Sequence, residues 1–264
     1  MVKGVAIKFK SYAETVPKFL SLVKFENEVK KHQSIVLIPS LKGTDSLKTA
    51  VDFVEEIVKF CQVHKSPAAR VLIAAGADGE DTMEVFRTSG YTQLAERQGI
   101  SLVDLNTSEV EEIRDGEFLR FGPIYYPKLL LDSYIVVVPR LAEDEETEMQ
   151  ASLSTMLAAF PGNYYRGLFS STKNRLRKHS LKYAIHDIMR CRMPQLAIVD
   201  ASEYGSLLLG KPIEIDKQAA KLLGKNWKTI AHLRLVDESF SQTQKVIEAR
   251  EHARAAAKNQ QTAE

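Results

Sequence analysis

The chain has 264 residues, 44% hydrophobic and 27% charged, with a formal net charge of +2. That balance supports a real apolar core, excludes a disordered polyelectrolyte, and leaves any charged partner to local clusters. The two cysteines, Cys61 and Cys191, are far apart with no CxxC; no iron–sulfur cluster is expected in this chain, and the pattern suits a reducing cytosol.

Val2 to Phe9 reads as a first strand, without the apolar core of a signal peptide. No run approaches the roughly 18 apolar residues of a membrane span, so a cytoplasmic protein with no membrane partner is expected. Tyr12 to Lys31 has helical apolar spacing, and Ser34 to Ile38, ended by Pro39, reads as a strand buried on both faces. Ser46 is placed to cap a helix reaching His64, with Leu47, Val51, Val54, Val58 and Cys61 on one face.

Val71 to Ala75 is an apolar run that breaks into the loop Gly76-Ala77-Asp78-Gly79. A polar helix to Gly99 and a second apolar run, Ile100 to Leu105, complete a βαβ unit. Asp115-Gly116, between β-prone segments, predicts a hairpin within Val110 to Phe121. Tyr134 to Val138, closed by Pro139, is another buried strand, and Met149 to Phe160 has helical spacing. The segment from Tyr164 to Arg192 is basic and carries the core stripe Leu181, Ile185 and Ile188. Leu196 to Asp200 reads as the last clear strand, with a glycine-containing loop from Glu203 to Pro212 after it and short helices at Asp216 to Gly224 and Trp227 to Val236. Residues 1–238 read as a single α/β domain, a three-layer sandwich with a mostly parallel sheet and an inserted antiparallel hairpin, and residues 239–264 as a polar tail.

Ligands of such sheets sit off the carboxyl ends of the strands. There Asp104 and Asp200 could bind a metal, act as bases, or cap turns through Asx bonds. Asp78 could serve a phosphate cradle or a hard cation, although acids at a helix start are also common caps. His179, Tyr183 and His186 fall on one side of the basic helix read from the spacing. The two histidines, seven residues apart and roughly 10 Å along a helix, cannot share a metal, but a single one could be an acid/base. Lys173 to Arg192 could hold a polyanion; a solvated face, or pairing with the acidic run Glu143 to Glu148, is the favoured reading over nucleic acid.

Several segments together resemble the family known as domain of unknown function 362: Phe86 to Asn106, Ile38-Pro39-Ser40-Leu41, Tyr134 to Pro139, His179, Ala184 to Ile188, Pro194 to Asp200, and Ile215 to Gly224. That family typically has Lys-Thr-His after the proline-ended strand, where this chain has Arg140-Leu141-Ala142. Its relatives often add a ferredoxin-like cysteine module that is not found here. The resemblance implies a small-ligand or metal-binding protein that could be an enzyme with a redox-linked reaction, as the iron–sulfur relatives suggest, and Arg140 in place of a family lysine on an anionic substrate. The expected site has His179, Asp200 and Asp104 as catalytic residues and Asp78, Arg140 and Ser40 as ligand-binding residues, with metal, cofactor and oligomeric state open. The alternatives are a non-catalytic regulatory member of the family and a polyanion binder working through residues 173–192.

Overall fold

The computed structural model describes residues 4–43 and 47–243. Strand β1 (Val5–Lys8) leads into α1 (Tyr12–Leu22), whose first turn is capped by Ser11. The single helix expected to Lys31 is two. Lys24 sits at φ 57°, and Lys24 and Phe25 donate back to the carbonyls of Ser21 and Leu20, each at 3.0 Å. This is a Schellman stop with lysine in the usual glycine position. Helix α2 (Glu26–Val29) and strand β2 (Ser34–Pro39) follow. Helix α3 (Val51–His64) starts later than expected, with Ala50 at its cap and Leu47 outside it; Ser46 lies outside the described residues.

The βαβ unit is present: β3 (Arg70–Ala75) pairs in parallel with β4 (Ser101–Asp104). Its crossover is divided at Gly90, φ 86°, into α4 (Thr82–Thr88) and α5 (Tyr91–Gln98), and ends at Gly99 in the left-handed region. The hairpin is also present, as a separate sheet of β5 (Val110–Arg114) and β6 (Pro123–Pro127). Its return strand starts later than the sequence suggests. The N–H groups of Leu119, Arg120 and Phe121 donate instead to the Asp187 carboxylate, at 2.8 to 3.1 Å.

After α6 (Lys128–Leu131) and β7 (Tyr134–Val138), the helix expected over Met149 to Phe160 is one turn of α-helix, α7 (Ser152–Thr155), and one 3-10 turn. Then come α8 (Gly162–Tyr165), a 3-10 turn at Asn174–Lys178, α9 (Leu181–Cys191) and β8 (Leu196–Ala201). The basic segment is therefore not one helix, because the chain is extended at His179. The stretch expected as a loop contains β9 (Ser206–Gly210), whose three leucines are buried. Helix α10 (Pro212–Leu222) and helical residues 231–243 complete the described chain.

The main sheet has seven strands in the order β1-β9-β8-β7-β2-β3-β4. Strands β8, β7, β2, β3 and β4 are parallel, and β9 is antiparallel to both of its neighbours. Alternate residues feed two cores. Ile35, Leu37, Val136 and Ile198 pack on the side of α1 to α5, and Val36, Ile38, Val137 and Val199 on the side of α7, α9 and α10. These are the three layers of an α/β sandwich, with the parallel strands all ending on one rim. No described helix is long and apolar enough to cross a membrane.

Candidate functional site

A cleft, open at its mouth, lies on that rim beyond β2, β3 and β7. Its walls include Ser40, Lys42, Gly76, Asp78, Asp144, Glu146, Gln150, Lys173 and Arg177. The centre of the site is Lys173, which is only 1% exposed. Its Nζ donates to the carbonyls of Gly76 at 3.0 Å and Ala158 at 3.4 Å. Burial is the main cause that pushes its pKa down to about 7, partly opposed by Asp78.

Local structure holds that lysine in place. Asp78 accepts from the Lys173 backbone N–H at 2.6 Å, which pins residue 173 to the loop after β3. That loop is braced by Thr82, whose hydroxyl accepts from the Ala77 N–H, and by buried Asn106. The Asn106 amide donates to Ala77 O and Thr82 Oγ1 and accepts from the Gly162 N–H. Gly76 leaves the room this needs: a Cβ there would meet Ala158 O at 2.5 Å and Lys173 Nζ at 3.1 Å. A side chain at 76 would push against backbone, so glycine is required by close approach.

The mouth is lined by a run of ion pairs. Arg177 binds Asp78 at 2.7 Å and Glu146 at 2.5 Å, and Lys42 binds Asp144 at 2.5 Å and Glu146 at 3.0 Å. The Arg177 guanidinium holds Glu146 down to about 2. In the wall, Gln150 is 3% exposed and its amide N–H groups reach Leu47 O and Arg140 O. Its Oε1 is a buried acceptor without a partner among the described residues.

Of the residues expected from sequence, Asp78 and Ser40 line this cleft. The other four are placed elsewhere. Asp104 caps its own turn, accepting from Asn106 N at 2.9 Å. Asp200 is buried and accepts from Tyr12 Oη at 2.7 Å and Ser202 N at 3.0 Å. Arg140 is paired with Glu203. His179 is exposed after the 3-10 turn, while His186 is buried between Asp187 and Ser239. Asp78, Asp104 and Asp200 do share one rim, but β7 and β2 separate β8 from β3. Asp200 is thus three strand spacings from Asp78, on the order of 14 Å. Among the described residues no group of three or more His, Cys, Asp or Glu is arranged to hold a metal ion.

The basic segment pairs with the acidic run through Arg177 and Glu146, and Arg190 binds Asp115 and Glu117. Lys173 was hidden in that segment. On a charge count it is one more solvated cation; only the packing distinguishes it.

The family described as Domain of unknown function (DUF362) matches residues 35–206. No curated protein matches the chain. Among solved structures, the lactate racemase apoprotein from Thermoanaerobacterium thermosaccharolyticum is similar at a TM-score of 0.51 and 14% identity, covering 83% of this chain and 57% of its own. A structural-genomics target from Thermotoga maritima is similar at a TM-score of 0.48 and 12% identity, over 86% of this chain and 59% of its own. The chain therefore spans less than three-fifths of the length of either protein, and the first likeness is one of fold.

Proposed function

The chain belongs to the domain of unknown function 362 family, and from that premise we propose that its rim cleft binds a small carbonyl compound, with Lys173 as the amine that reacts with it. The observation that carries this reading is a fully buried lysine in the wall of a cleft at the carboxyl ends of parallel strands. With its pKa near 7, about half of this amine is neutral at pH 7. That is on the order of a thousandfold more neutral amine than an ordinary lysine offers.

The test is limited reductive methylation at pH 7 with formaldehyde and cyanoborohydride, read by peptide mass. The Lys173 lone pair forms the C–N bond, the carbonyl oxygen leaves as water, and cyanoborohydride delivers hydride to the carbon. Lys173 is expected to be modified ahead of the exposed lysines. Modification of the exposed lysines with Lys173 untouched in the folded protein would overturn the assignment.

A further inference from the structure

Two cations in the cleft converge on one carboxylate. Arg177 grips Glu146 through Nε at 2.5 Å and Nη2 at 2.9 Å, and Lys42 Nζ approaches the same group at 3.0 Å. Each cation also keeps a second acid that is fixed by other bonds. Asp144, on Lys42, accepts from the N–H groups of Glu146 and Thr147 and from Thr147 Oγ1. Asp78, on Arg177, accepts from Lys173 N. The Glu146 side chain is 35% exposed, and its bonds among the described residues are those to the two cations. It can swing into solvent while Asp144 and the Ala142–Gln150 bridge hold the base of its loop.

Charge counting then says what can replace it. Without Glu146, Lys42 and Arg177 are balanced by Asp144 and Asp78, so the arrangement seen here accommodates one further negative charge. A planar carboxylate fits the bidentate guanidinium. Lys42, Glu146, Arg177 and Lys173 all line this one cleft, and the Arg177 charge is among the causes that lower the Lys173 pKa, so the anion position and the amine belong to the same enclosed space.

We propose that Glu146 is a built-in stand-in for the carboxylate of the ligand. The ligand class is a small oxo acid, with its carboxylate on Arg177 and Lys42 and its carbonyl at Lys173, and the free protein is self-inhibited by its own side chain. This rests on the reading of Lys173 given above.

Glyoxylate and formaldehyde are the two probes, the first with a carboxylate and the second without. Each is trapped on Lys173 with cyanoborohydride at pH 7 in the wild type and in Glu146→Ala and Arg177→Met. In Glu146→Ala, half-maximal labelling by glyoxylate is expected at about tenfold lower concentration, the gain from removing a partly exposed competing pair and its charge. In Arg177→Met it is expected at about tenfold higher concentration or above. Each glyoxylate value is read relative to the formaldehyde value of the same protein, because the Arg177 charge also lowers the Lys173 pKa and its loss changes the amine itself. An equal gain for formaldehyde in Glu146→Ala would mean that this side chain merely blocks the mouth, and would overturn the proposal. So would unchanged glyoxylate labelling in both variants. If formaldehyde fails to label Lys173 in the wild type, it is the reactive-lysine reading that falls.

Discussion

A single side chain, Lys173, shows how burial rather than residue type makes a reactive group. Its folded pKa of about 7 lies below the ordinary value of 10.5. Below pH 7 both the folded and the unfolded chain hold the proton, and the folded state bears the full cost of a buried charge. As the pH rises from 7 to 10.5 the unfolded chain keeps a proton that the folded chain has shed, so stability rises with pH across that window. The cost below pH 7 is on the order of 5 kcal/mol, against roughly 1–2 kcal/mol gained from the bonds to Gly76 O and Ala158 O, so burial wins. Lys173→Met is therefore expected to melt higher than the wild type at pH 6, with the difference shrinking by pH 10, as thermal unfolding across that range would show. A lower melting temperature at pH 6 would contradict this account. Nothing in the sequence sets Lys173 apart from Arg175 or Lys178, whereas the Asp78 loop that binds it was visible as a break between an apolar run and a helix.

At the scale of elements, the sequence reading succeeded wherever apolar spacing decides and failed where a bond from a distant residue decides. Strands β2, β3 and β7 are continuous apolar runs and were legible as such. The stop after α1 was not, since Lys24 adopts a left-handed φ of 57° that composition does not announce. That strain predicts a gain: Lys24→Gly should stabilise the protein by about 0.5–1 kcal/mol, measured as a shift in the urea midpoint at unchanged slope. The late start of β6 was equally hidden, because Asp187 sits far along the chain on α9 and takes the three amides that would otherwise extend the hairpin. Asp216 does similar work from α10, accepting from Ser152 and Leu153 at the start of α7, while its own burial pushes its pKa up to about 6. β9 was missed for a different reason. Its three leucines are too short a run to be told from a buried turn by periodicity.

Across the whole molecule, the rim on which the cleft opens follows from five parallel strands, and the far edge of the sheet is sealed by β9 and β1. Tyr12, at the start of α1, ties that edge to the rim by donating to Asp200 at 2.7 Å. Burial raises the tyrosine to about 12, so it remains a donor at neutral pH. Tyr12→Phe leaves the buried carboxylate with one donor fewer, and a loss of about 1–3 kcal/mol is expected in denaturant unfolding. Because Tyr12 and Asp200 are remote from the cleft lining, formaldehyde labelling of Lys173 should be unaffected by the same change. Labelling lost together with stability would place Asp200 back among the functional groups.

The pairing of β1 with β9 joins Val5 to Leu209, about two hundred residues later. During synthesis at ~5–20 residues per second, the first strand leaves the ribosome on the order of 10–40 s before its hydrogen-bonding neighbour has been made. For that interval Val5 and Ile7 are presented without a mate on the nascent polypeptide. The last stitch of the sheet is therefore closed by a strand made long before its mate, and a pause between the two lengthens the time that strand must be kept from pairing with another chain.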